Sequence, residues 1–363
     1  MTPINPISHA QSNALFNIVS ICALLVVAIH VPVDISRCAE HSVFGFWLLL
    51  FHEGFARAAV PMFFFISGYL LAGHFGDEGW YMAVIRKRIR TLLIPYVALN
   101  ILLLLCVILG KAIKGPSNAF DAICDWRYVI GSLGLLPCVQ PINFPLWYLR
   151  CLIYFVLLTP IIKILIENRI LAITTVICLF ILAEMILYLS TYESSRLSKI
   201  NMITNFDIYG LAAFTIGCVA RLHPFRIFKI IGSIGFFGAL VALLVTLAIY
   251  ATWVLLSNPT RQLLILVKGI GVIPICTLAI YKLACKRQFP LIIGRNTMPL
   301  FSLQVIVYFG GGIIMSSLGT SLHVRSLSMY IAIWACVSAG CIAIGVALDS
   351  LSPRFRSIIF GGR

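Results

Sequence analysis

The chain has 363 residues, of which 61% are hydrophobic and only 11% charged. Soluble domains carry roughly 45–50% apolar and about 25% charged residues, so this composition excludes a soluble domain and a disordered chain. It reads as an all-α polytopic integral membrane protein; the apolar runs are continuous, whereas barrel strands would alternate.

Ten spans fit the apolar runs: 14–33, 53–74, 91–110, 145–163, 170–190, 206–221, 230–256, 262–283, 297–318 and 327–348. No positively charged segment precedes the first run, so it is expected to remain as a helix rather than be cleaved as a signal peptide. Val43–Phe51 is apolar but too short to cross, and is expected to be interfacial or re-entrant. Gly310, Gly311 and Gly312 in the ninth span permit close packing or a break. The longest connection is 111–144. Residues 1–363 are expected to form one membrane domain with no soluble domain.

Ten spans place both termini on one side. Sixteen of the 27 Lys and Arg fall on that side, eight on the other, and Arg57, Arg150 and Lys268 lie inside spans. The positive-inside rule therefore makes both termini cytoplasmic. This accounts for the net charge of +15 without nucleic acid as a partner; the partner is the lipid bilayer. Most of the twelve Cys lie in apolar runs, and no CxxC or Cys/His cluster points to a metal. Cys38, Cys124 and Cys138 fall on the outer side. A Cys124–Cys138 bridge and three free thiols are both open.

Ionisable residues inside spans are costly and mark functional sites by default. His30 lies three residues before the outer end of span one, and Arg57 four residues inside the outer end of span two. Arg150 sits near the outer end of span four beside Trp147 and Tyr148; Glu184 and Lys268 lie in outer halves; Asp34 and Glu53 mark outer ends. All stand at one level, which suggests a polar cavity opening outward. His30 and Asp34 are i,i+4, so the carboxylate could orient the imidazole as a general base, although Pro32 disturbs that turn. An interfacial histidine that binds nothing is the other reading, and spacing leaves both open. Glu53 and Arg57 are also i,i+4. Arg86-Lys87-Arg88-Ile89-Arg90 is either a topology determinant contacting anionic lipid or a site for a phosphorylated ligand. Trp147 and Tyr148 are either interfacial belt residues or a flat platform for a glycan.

Several segments resemble signatures of the acyltransferase 3 family of membrane O-acyltransferases. Ala23-Leu-Leu-Val-Val-Ala-Ile-His30 is similar to its first-helix signature, and Arg57-Ala-Ala-Val-Pro-Met-Phe-Phe-Phe-Ile-Ser-Gly-Tyr69, the most specific stretch, to its second. Arg86-Lys-Arg-Ile-Arg-Thr-Leu-Leu-Ile-Pro-Tyr96, Pro145-Leu-Trp-Tyr-Leu-Arg150 and Gly294-Arg-Asn-Thr-Met-Pro299 resemble later segments in the same order. The resemblance implies a cytoplasmic acyl-CoA donor, most often acetyl-CoA, used as co-substrate. It also implies a hydroxyl acceptor on a cell-surface glycan or lipid-linked sugar, in a bacterial cytoplasmic (inner) membrane. It makes His30 catalytic and Arg57 essential.

Chemistry agrees: an imidazole takes the proton of a poorly nucleophilic hydroxyl, and Arg57 answers the developing oxyanion. On this reading Arg86, Lys87, Arg88 and Arg90 hold the phosphates of CoA. Glu53, Trp147, Tyr148, Arg150, Glu184 and Lys268 surround the acceptor. Two positions depart from the family pattern: Val19 stands where an Arg is usual, and Phe301-Ser-Leu-Gln304 replaces a late Tyr-x-x-His. The competing reading is a transporter or exporter of a glycan or lipid. No inverted repeat, a frequent mark of transporters, is visible.

Overall fold

Without water to satisfy backbone polar groups, a membrane-crossing chain must close its hydrogen bonds within helices. In a computed structural model of the chain this is the outcome. The structure describes residues 7–33, 42–114, 126–135, 139–189, 195–223, 233–257, 261–286, 288–317, 324 and 326–362, and no strand occurs among them. Asp34, Cys38, Cys124 and Cys138 lie outside the described residues. Nine other cysteines are free thiols.

Eight described helices are long and apolar enough to cross a membrane. They include α1 (His9–Ile29), α2 (Val43–Ala72), α3 (80–114), α5 (Phe144–Leu165), α6 (Arg169–Leu189), α8 (Phe236–Ser257), α9 (261–286) and α12 (Leu327–Leu351). The other two expected spans correspond to α7 (Ser195–Leu222), which starts with a polar stretch, and α11 (Thr297–Ser317), counted as apolar over the shorter stretch Thr297–Gly311. Helix α11 continues through Gly310–Gly312 without a break. Short helices α4 (Trp126–Leu133), α10 (Leu291–Arg295) and α13 (Pro353–Phe360) complete the set.

The expectation for Val43–Phe51 is corrected. That piece is not separate: it opens a continuous 30-residue α2. Ser42 caps the start, its Oγ accepting from Gly45 N at 3.0 Å. At 1.5 Å per residue, Glu53 and Arg57 therefore sit about 15 and 21 Å along the helix, deeper than span ends.

Three helices carry π-helical stretches: Leu48–Phe55 in α2, Ile89–Leu93 in α3 and Lys268–Val272 in α9. In α3 and α9 the stretch ends two residues before a proline, Pro95 or Pro274, and in α2 the 3-10 turn Ala56–Ala58 stands between it and Pro61. A proline has no N–H for the carbonyl four residues earlier and its ring collides with that carbonyl. The backbone upstream relaxes by widening. The widened turns hold His52, Glu53, Arg90 and Lys268.

Helix α1 is the hub, with 61% of its span buried inside the protein against 11% for the peripheral α6. It packs against α2, α9, α11 and α12. Helices α2 and α7 cross almost backbone to backbone. A Cβ on Gly68 would meet Phe214 O at 2.0 Å, and one on Gly217 would meet Phe65 O at 2.0 Å, so only glycine permits the approach. Helix α13 buries Ile359 and Phe360 against α3.

Candidate active site

Helix α1 ends in a tightened turn. His30 N donates to Val27 O and Val31 N to Ala28 O, each at 3.2 Å. Pro32 cannot donate to Ala28 O, and the last carbonyls of a helix lack intrahelical partners. Side chains from the last helices fill the gap. Trp334 Nε1 donates to Leu24 O at 2.8 Å, Tyr308 OH to Val27 O at 3.3 Å and Tyr330 OH to Ala28 O at 2.7 Å. The turn carrying His30 is thereby clamped by α11 and α12.

His30 Nδ1 lies 3.2 Å from Gln304 Oε1. The amide nitrogen of Gln304 donates to Phe301 O at 2.8 Å, which turns its oxygen toward the imidazole. That oxygen only accepts, so Nδ1 carries the proton and Nε2 keeps its lone pair. Gln304 thus orients the imidazole, while Asp34, for which spacing suggested that role, lies outside the described residues. The ring of Phe144 meets the imidazole edge-on, centroids 4.9 Å apart.

Glu53, on the π turn of α2, accepts from Arg57 Nη2 at 2.6 Å through Oε1 and from Lys268 Nζ at 2.5 Å through Oε2. Two cations share one carboxylate, so the trio carries one net positive charge. His52 is buried beside it, with Nε2 at 3.6 Å from Glu53 Oε1 and Nδ1 at 3.2 Å from Tyr330 OH. Tyr330 donates its own proton to Ala28 O, so its oxygen accepts from His52. The Arg57 charge acts on both His30 and His52. Arg57 Nε is buried and has no hydrogen-bond partner among the described residues. It is a donor ready for an oxygen that develops charge.

The single outward level expected from the sequence divides into two clusters. His30, Glu53, Arg57 and Lys268 come together. Arg150 is held elsewhere: Nη2 binds both Asp207 oxygens at 3.2 Å and Nη1 donates to Val139 O at 2.5 Å, while Cys151 Sγ donates to Asp207 Oδ1 at 3.0 Å. Glu184 accepts from Tyr209 OH. Tyr148 is buried against Phe63, Phe64 and Phe301 and its hydroxyl pairs with Ser67, so it packs the interior rather than presenting a face outward. Trp147 is half-buried against Phe64.

Arg86, Lys87 and Arg90 are exposed and Arg88 half-buried. They follow the far end of α2, on the side opposite Val43 and His30. Arg356, on α13, donates to Arg295 O at 2.8 Å on that same side. Val19 packs in the core.

His52, Tyr330 and Asp207 were not singled out in the sequence. His52 and Asp207 each sit beside or inside an apolar run, which was the available signal. No curated protein and no solved structure matches the chain. The family model described as an acyltransferase domain matches residues 20–349. With that match over nearly the whole length, and a polar core in an all-helical membrane scaffold, the chain belongs to the acyltransferase 3 family and is a membrane acyltransferase.

Proposed function

We propose that this enzyme moves an acetyl group from cytoplasmic acetyl-CoA to a hydroxyl of a cell-surface glycan or lipid-linked sugar at the outer face of a bacterial cytoplasmic membrane. The observation that carries the reading is the contact of His30 Nδ1 with Gln304 Oε1 at 3.2 Å, which turns Nε2 to the acceptor, near a cation with an unused donor, Arg57 Nε.

The acceptor oxygen attacks the thioester carbonyl while its proton passes to His30 Nε2. The carbonyl oxygen becomes an oxyanion and takes the Arg57 Nε–H and the surplus charge of the Glu53 trio. The C–S bond then breaks, and His30 returns the proton to the CoA sulfur. Arg86, Lys87, Arg88 and Arg90 hold the CoA phosphates at the opposite end, where fork and point charges suit phosphate oxygens. The outer loops near Trp147 and Arg150 border the acceptor.

The test is transfer of labelled acetyl from acetyl-CoA to glycan and glycolipid in proteoliposomes, with His30→Ala and Gln304→Leu at matched folded protein. Loss with His30→Ala is expected. Gln304→Leu removes the bond to Phe301 O and the neutral hydrogen bond on His30 Nδ1; the latter, about 0.5–1.5 kcal/mol, is roughly two- to tenfold in kcat. Transfer unchanged in His30→Ala would remove His30 from the chemistry. Absence of transfer by wild type with any acyl-CoA and host-matched acceptors would favour glycan or lipid export instead.

A further inference from the structure

A thioester held beside a general base is open to water as well as to a sugar hydroxyl. His30 stands at the end of α1, half-buried, on the side where the acceptor arrives. The residue in ring contact with it is Phe144, whose edge-on ring is 4.9 Å away while 40% of the residue is exposed. The ring is partly open although the segment that carries it is firmly pinned.

The pins are polar and specific. Asn143 is fully buried; its N–H donates to Asn100 Oδ1 at 3.2 Å and its side-chain amide to Ser302 O at 2.9 Å. Ser302 is two residues from Gln304, so the same turn of α11 positions both the partner of His30 and the segment carrying Phe144. Ile142 N donates to Ser132 O at 2.8 Å, Leu146 is fully buried, and Arg150 Nη1 donates to Val139 O at 2.5 Å. The Arg150–Asp207 pair, which stands apart from the reacting groups, thus anchors this strap.

We propose that Phe144 is a specificity-determining residue that shields the imidazole from bulk water, so that the acyl group passes to a bound hydroxyl and not to water. This rests on the acyl-transfer reading of the site. Loss of the ring opens the alternative reaction: water attacks the thioester carbonyl, one of its protons goes to His30 Nε2, the C–S bond breaks, His30 passes that proton to the leaving sulfur, and the products are a carboxylic acid and free CoA.

The experiment measures, in the same proteoliposomes, CoA thiol released from acetyl-CoA and acetyl incorporated into acceptor. Wild type gives a ratio near one. Phe144→Ala is expected to raise the ratio of CoA released to acetyl transferred about tenfold, with the excess lost in the His30→Ala/Phe144→Ala double variant. Phe144→Leu, which keeps apolar bulk and guards against a folding defect, is expected to stay near the wild-type ratio. A ratio unchanged in Phe144→Ala, or excess release that persists without His30, overturns the assignment while leaving the transferase reading intact. Absence of both CoA release and transfer in wild type overturns the transferase reading itself, and this assignment with it.

Discussion

Replacing Glu53 with Gln tests the polar core most directly. The carboxylate accepts from Arg57 at 2.6 Å and from Lys268 at 2.5 Å. Glutamine keeps the shape but offers one oxygen, and its NH2 faces a cation. At least one hydrogen bond to a charged group is lost, about 1.5–3 kcal/mol. Breaking a fully buried pair costs about 3–5 kcal/mol, but the Arg57 side chain is 36% exposed, which favours the lower range. Expressed at the transition state, 1.5–3 kcal/mol is roughly ten- to 150-fold in kcat/KM, because the two cations separate and Arg57 leaves the reacting carbonyl. Initial rates of acetyl transfer in proteoliposomes, normalised to monodisperse protein, give the number. Activity within twofold of wild type would show that Glu53 does not position Arg57, and the argument from shared neutralisation would fail.

At the α2–α7 crossing, Gly217→Ala forces the helices apart and costs about 1–3 kcal/mol or more. A lowered thermal midpoint in detergent is expected, while Gly76→Ala, with nothing near its added methyl, leaves it unchanged; equal midpoints would refute the close crossing. The triple change Arg86→Gln, Lys87→Gln, Arg90→Gln removes three exposed charges, each contributing about 0.2–1 kcal/mol. KM for acetyl-CoA is expected to rise about tenfold with kcat unchanged and with a weaker response to salt. A rise confined to the acceptor KM would move the donor site elsewhere.

The helical scaffold was legible because about twenty apolar residues in a row leave no other solution. That His30, Arg57 and Lys268 lie inside spans was legible for the same reason, since charge inside apolar runs needs a purpose; the depth of Glu53 and Arg57 was not, because α2 begins ten residues before Glu53. Partners were not legible. Glu53 and Lys268 are 215 residues apart, Arg150 and Asp207 57, His30 and Gln304 274. No local pattern spans such separations. Gln304 was visible only as a departure from the family histidine, and its contact with His30 gives that departure a role. Val43–Phe51 was misjudged because His52 and Glu53 break the apolar run. Their cost is met by Tyr330, Arg57 and Lys268, two of them on other helices. Pro61, Pro95 and Pro274 carried a signal of the widened turns that hydropathy does not register.

Trp334, Tyr308 and Tyr330 tie the last turn of α1 to the final two spans. During synthesis the first span enters the membrane long before those tyrosines and that tryptophan exist. Until they arrive, the turn bearing His30 has neither its clamp nor Gln304. A nascent or truncated chain therefore holds the histidine without the side chains that fix its turn.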